Sequence, residues 1–212
     1  MRTAPAVVHR TLAILAVALA VALVAVVLLW KPVPEGTGGP VVREFPGRPR
    51  GGEFVLQSRE GPVSLSAQAG KVVLIYFGYT WCPDICPTNL AFISKGLEAL
   101  SPGELGRVRV LFVSVDPERD TLERLRQYTA YFHPSILGVT GSSEEVKEVA
   151  DRYGAAYRMG ERDSAGGYTV DHSADTYVVG PDGALRETLG HGTPPSQVAE
   201  AIRRWLPSDA SS

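Results

Sequence analysis

Only two of the 212 residues are cysteine, and both fall in one short stretch, Cys82-Pro-Asp-Ile-Cys86. A multi-disulfide scaffold is thereby excluded, and a closed zinc site would have to find two further ligands elsewhere. Neither sign of charge is in large excess, with 21 Lys+Arg against 23 Asp+Glu. Gly and Pro, at 22 and 16 residues, are too few for collagen, and 44% hydrophobic residues exclude disorder throughout. The near-neutral total hides a split: residues 1–52 hold 6 basic and 2 acidic residues, whereas 53–212 hold 15 and 21, a balance of −6. That acidic bulk argues against a nucleic-acid partner. No internal repeat is present.

One long apolar run does occur. From Leu12 to Trp30 there are 19 residues without a charge, and as a helix such a run reaches ~28 Å, close to the hydrocarbon thickness of a bilayer. A cleaved secretory signal has a shorter apolar region and a small-residue cleavage site; this run ends in Leu28-Leu29-Trp30 followed by Lys31-Pro32. An uncleaved, single-pass anchor in the cell inner membrane is expected. Arg2 and Arg10 precede it, which keeps residues 1–11 cytoplasmic by the positive-inside bias and places the rest outside the cytoplasm. Residues 31–52 are dense in Pro and Gly and read as an extended tether; 53–207 form one domain, and 208–212 a flexible tail.

Within the domain, Phe54–Gln57 and Val63–Leu65 read as short strands around Gly61-Pro62, and Lys71–Tyr79 as a strand buried on both faces. Leu90, Ile93, Leu97 and Leu100 recur at helical spacing, and Val108–Val115 is a second buried strand. Further helices are expected at Thr121–Tyr131, with Asp120 available as a cap, and at Ser142–Tyr153 behind Ser142-Ser-Glu-Glu145. Ala174–Val179 and Ala184–Leu189 read as a hairpin, and Pro194–Trp205 as a closing helix capped by Thr193. Parallel strands alternating with helices and ending in an antiparallel hairpin make an α/β, thioredoxin-like arrangement, a central mixed sheet flanked by helices.

Cys82 and Cys86 fall at the carboxyl end of the central strand, where open α/β sheets place their sites. With Asp84 as the N-cap, Cys86 enters the first turn, where free N–H groups favour a thiolate while the Asp84 carboxylate opposes it. The i,i+4 spacing turns both sulfurs to one face, so they can oxidise to a disulfide or grip one metal ion. A structural staple across so short a loop contributes only about 2 kcal/mol, little use to a domain with a proper core. A thioredoxin dithiol has Cys-x-x-Cys rather than the Cys-x-x-x-Cys found here, and the peroxiredoxin Thr-x-x-Cys pattern is missing. Two thiolates suit a soft ion, and Cu(I) accepts three ligands. Of the three histidines in the domain, His133 and His191 sit in ordinary loop contexts. His172, in Tyr168-Thr-Val-Asp-His-Ser173, lies in the loop leading to the final hairpin, which faces the cysteine-bearing helix start, and is the best third ligand. Asp171 is placed either to orient it or to shape the turn.

Tyr76-Phe-Gly-Tyr-Thr-Trp-Cys82-Pro-Asp-Ile-Cys86-Pro-Thr88, then Val113-Ser-Val-Asp116-Pro-Glu-Arg-Asp120, then Tyr168-Thr-Val-Asp-His172-Ser resemble, in this order, the Sco/SenC family of copper-binding assembly factors for cytochrome c oxidase. The resemblance implies that Cys82, Cys86 and His172 bind Cu(I) or Cu(II), and that Asp116 and Asp120, an Asp-x-x-x-Asp feature near the metal, serve an outer-shell or partner-docking role. It departs at Trp81 and Thr88, where relatives often carry a polar and an acidic residue. Two functions follow as expectations. A metallochaperone hands copper to the binuclear copper site of the oxidase subunit; a thiol–disulfide oxidoreductase uses Cys82 and Cys86 as catalytic residues to reduce the cysteines of that site before it is metallated. The oxidase copper-site subunit, a periplasmic copper carrier or thiol reductant, and the membrane through the anchor are the implied partners.

Overall fold

The computed structural model describes residues 50–164 and 166–207, together with residues 12, 14–21, 23 and 25. The chain divides into two units, Met1–Gly39 and Pro40–Ser212. In the first, the described residues are helical, and among the described residues no helix is long and apolar enough to cross a membrane. Most of the anchor expected over 12–30, nearly all of the tether over 31–52, and the segments 1–11 and 208–212 lie outside the described residues.

In the second unit the elements run β1 (Val55–Ser58), β2 (Gly61–Ser64), β3 (Val72–Gly78), α1 (Ile85–Glu98), α2 (Pro102–Leu105), β4 (Val108–Ser114), α3 (Leu122–Phe132), β5 (Ile136–Val139), α4 (Ser143–Tyr153), β6 (Tyr157–Met159), β7 (Val170–His172), β8 (Thr176–Val179), β9 (Leu185–Leu189) and α5 (Pro195–Trp205). Five strands form the central sheet in the order β5-β4-β3-β8-β9. β3, β4 and β5 are parallel, while β8 runs antiparallel to β3 and β9 antiparallel to β8, so the sheet is mixed as expected.

β3 shows why the sheet is sandwiched. Every residue of it is buried, and the period of two sends Val73, Ile75 and Phe77 into one core layer with Val146, Val149 and Tyr153 of α4. Val72, Leu74 and Tyr76 enter the opposite layer with Leu90, Ile93 and Leu97 of α1, Leu125 of α3 and Val198 and Ile202 of α5. Each such side chain removed from water contributes about 1.5–3 kcal/mol. Gly96 allows α1 and α5 to touch, since a Cβ there would lie 2.9 Å from Val198 Cβ.

The helix starts obey local chemistry with three departures from expectation. Ser142 forms the reciprocal cap with Glu145 that its sequence announces. Thr121, not Asp120, caps α3 by accepting from Arg124 N–H. Pro194 occupies the cap position of α5, and the Thr193 hydroxyl instead donates to Gly190 O at 2.7 Å. Asp84 stands at the cap position of α1 but makes no capping bond with its side chain. α2, unforeseen, carries a full capping box between Ser101 and Glu104. The β6–β7 pair, also unforeseen, is a separate two-stranded antiparallel sheet, so His172 belongs to a strand rather than a loop.

Candidate metal centre

The sulfur half of the centre is rooted in the central sheet. β3 ends at Gly78, where a Cβ would lie 2.6 Å from Cys86 Sγ and 2.9 Å from Phe112 Cε2. Glycine at this position is what lets the sulfur sit against the strand. Cys86 is fully buried in the first turn of α1, and Cys82 is half-buried in the preceding turn, held by its N–H to Tyr79 O at 3.3 Å. Both thiols are free.

The two sulfurs are unequal. Hydrogen bonding from Cys86, opposed by burial and aided by His172 and the N–H groups of Asp84 and Cys86, pushes the Cys82 thiol down to about 3. The reciprocal bond from Cys82, together with burial, pushes the Cys86 thiol up. Helix-start amides were expected to favour the thiolate at Cys86; because the Asp84 side chain leaves them uncapped, they serve Cys82. Behind Cys86, burial and the nearby sulfur push the Tyr76 phenol up.

The nitrogen half comes from the β6–β7 sheet, where His172 pairs with Tyr157. His172 Nδ1 donates to Ser173 O at 3.0 Å, which turns Nε2 toward the sulfurs, 3.2 Å from Cys86 Sγ. The rings of Tyr76 and Tyr79 meet the imidazole edge-on at centroid distances of 6.3 and 5.8 Å. Of the two readings of Asp171, an acceptor that orients His172 or a residue that shapes the turn, the structure shows neither as a contact with the ring: its carboxylate pairs with Arg158 at 3.0 Å on an exposed face of the hairpin, and the carbonyl of Ser173 accepts from the ring. The Cys82, Cys86 and His172 ligand atoms all lie within 4.8 Å of one another, and this is the one such group among the described residues. His133 is elsewhere, accepting from Ser135 N–H through Nδ1, and His191 is exposed.

Asp116 and Asp120 are both wholly buried. Their carboxylates are turned inward, onto protein donors. Asp120 accepts from Thr80 N–H and Thr80 Oγ1 at 2.9 and 2.6 Å and from Ser114 Oγ at 2.7 Å. Asp116 accepts from Arg119 Nε at 2.5 Å and Tyr168 Oη at 2.7 Å. Sequence reasoning passed over Gly78, Thr80, Arg119 and Tyr168. A signal existed for Arg119, a lone cation between two aspartates, but none for Thr80 or Tyr168, whose partners lie 40 and 52 residues away.

Residues 44–207 match the family profile described as SCO1/SenC. The chain is 39% identical over 158 residues to the mitochondrial protein SCO2 homolog of Bos taurus, an alignment covering 73% of this chain and 59% of that protein. The chain therefore spans a little over half the length of that relative. Among solved structures it resembles copper-bound ScoI of Bradyrhizobium japonicum, with a TM-score of 0.68 at 36% identity over 74% of this chain and 99% of the other. It also resembles BsSco, described as a member of the Sco family of cytochrome c oxidase assembly proteins in which a disulfide switch was identified, with a TM-score of 0.59 at 25% identity over 79% and 95% of the two chains.

Proposed function

The chain belongs to the SCO1/SenC family, and from that premise we propose that it is a copper metallochaperone for the binuclear copper site of cytochrome c oxidase, with Cys82, Cys86 and His172 as its ligands. The observation that carries this reading is the donor set: two sulfurs and one imidazole nitrogen converge within 4.8 Å. Two thiolates and one nitrogen match Cu(I), a soft ion content with three ligands, and the half-buried Cys82 is the sulfur an acceptor thiol can reach for ligand exchange. Copper here is cargo. Cys82 and His172 release it stepwise while Cys86, buried at the helix start, holds it last.

The apolar run Leu12–Trp30 supports an inner-membrane anchor with the domain extracytoplasmic. A periplasmic carrier is the expected copper source.

A second reading is favoured by the depressed Cys82 thiol beside a second sulfur, the pairing that thiol–disulfide exchange needs. Exchange needs only the two sulfurs, the imidazole adding a smaller share to the depression of Cys82 than Cys86 does. His172→Ala therefore separates the two: we expect oxidase activity and oxidase copper content to be lost in cells with normal copper supply, while the purified variant still reduces the disulfide of the acceptor domain. Wild-type assembly with His172→Ala beside failure with Cys82→Ser would replace copper delivery by thiol reduction.

A further inference from the structure

The metal centre draws on two bodies of structure that share no β-ladder: the β3–α1 turn of the central sheet, and the β6–β7 sheet. Something must hold them in register, because a ligand misplaced by an ångström loses most of its value. Each body is tied to the β4–α3 segment through a different aspartate, and the two aspartates are four residues apart.

On the sulfur side, Asp120 grips Thr80 twice, through backbone N–H and hydroxyl, two residues before Cys82. Arg124 closes this grip, bonding Thr80 Oγ1 through Nε and lying 4.1 Å over the Trp81 ring. On the nitrogen side, Asp116 binds the Tyr168 hydroxyl and the Arg119 guanidinium, while Arg119 also donates to Tyr168 O at 2.8 Å and stacks 3.6 Å over the Tyr168 ring. Arg162 lies 4.6 Å over the same ring and donates from Nη2 to both carboxylate oxygens of Glu118 at 2.7 and 2.8 Å. Tyr168 is four residues before His172. Two other bonds assist this half: Val170 N–H to Tyr79 Oη at 3.2 Å, and Asn89 Nδ2 to Thr176 Oγ1 at 3.1 Å.

We infer that the two buried aspartates divide the positioning of the metal centre: Asp120 fixes the dithiol through Thr80, and Asp116 fixes the imidazole through Arg119 and Tyr168. This deepens the proposed function and rests on its reading of Cys82, Cys86 and His172 as one centre. Neither carboxylate touches a ligand atom's role directly; both are positioning residues. Their wholesale burial, which would be costly for an idle charge, is compensated by the bonds that do the positioning.

The test uses the full-length chain and two near-isosteric variants, one for each side. Tyr168→Phe removes the hydroxyl that meets Asp116. We expect it to weaken Cu(I) retention against a competing chelator about tenfold and to change the nitrogen hyperfine coupling in the paramagnetic resonance of the Cu(II) form. Its metal-free, reduced dithiol should react with dithiobisnitrobenzoate at the wild-type rate. Thr80→Val removes the hydroxyl that meets Asp120. It should change that thiol rate several-fold while the nuclear Overhauser contact between the His172 and Tyr76 rings stays as in the wild type. Asp116→Asn and Asp120→Asn provide a second pair on the same two sides, with circular dichroism confirming the fold. Equal effects of both sides on both halves, or no effect on either, overturn the division. Failure of the wild-type chain to take copper overturns the proposed function alone, because the thiol rate and the ring contact are read without metal.

Discussion

The sulfur half and the nitrogen half of the metal centre are built on different principles. Cys82 and Cys86 sit within five residues of each other at the end of a fully buried strand, so the sheet and the helix start fix their separation locally. His172 arrives from 86 residues away on a three-residue strand outside the central sheet, and its place depends on side chains reaching across from other elements. A site made this way has a rigid thiol pair and an imidazole whose presence is conditional on tertiary contacts. Under the proposed delivery role, the ligand on the lighter scaffold is the one expected to withdraw first.

The comparison breaks most sharply if its ligands are removed. Cys82→Ser and Cys86→Ser should each abolish one-to-one Cu(I) retention, and His172→Ala should weaken it severely, whereas His133→Ala and His191→Ala leave it intact. X-ray absorption of the loaded protein should report sulfur and nitrogen in the first shell; a shell without sulfur, or with four sulfurs, rules out the assignment. Next in size is Gly78→Ala. The added methyl would overlap Cys86 Sγ and the Phe112 ring, so urea unfolding should show a loss of about 1–3 kcal/mol, together with slower or weaker copper uptake from a displaced Cys86. Unchanged stability would mean that the strand end is looser than its distances indicate.

The smallest effect comes from a residue in neither half, and serves as the control. Burial pushes the His133 imidazole below its ordinary value, and Ser135 N–H donates to its neutral Nδ1. Because the unfolded chain binds this proton more readily than the folded one, stability is full above the unfolded value near 6.5 and falls as pH drops through it. Unfolding followed from pH 7.5 down to 5.5 should be less pH-dependent in His133→Gln than in the wild type, and copper stoichiometry at pH 7.5 should be the same in both. Identical pH profiles would remove His133 from the explanation.

The contrast between the halves also governs what could be read in advance. Lys71–Tyr79 and Val108–Val115 announce buried strands because burial on both faces leaves an unbroken apolar run, and both appear within a residue or two of expectation, as Val72–Gly78 and Val108–Ser114. Ser142 to Glu145 announces a helix start because its capping bonds lie within one turn. The cysteines were legible for the same reason: their chemistry is local. His172 was found through the motif around it, yet its strand was missed, since β6 and β7 are three residues each and carry no period long enough to register. Asp120 is locally available as a helix cap, a place that Thr121 takes, and its partners, Thr80 and Ser114, are visible only once β3 and β4 lie side by side. The two readings of Asp171 could not be separated locally either, since alternation along a strand, which turns neighbours to opposite sides, applies only once β7 is known to be a strand.

The separation of 86 positions between Cys86 and His172 also imposes an order of events. Closing a loop of that length costs about 4–5 kcal/mol of chain entropy, and no unfolded segment of this protein can assemble the three donors in advance. The full three-donor set of the proposed centre therefore exists only after β7 has joined the rest, whereas Cys82 and Cys86 lie together in any state of the chain. An ion held by all three donors would stabilise the finished fold by mass action. A metal shell holding nitrogen as well as both sulfurs is thus a readout of completed folding.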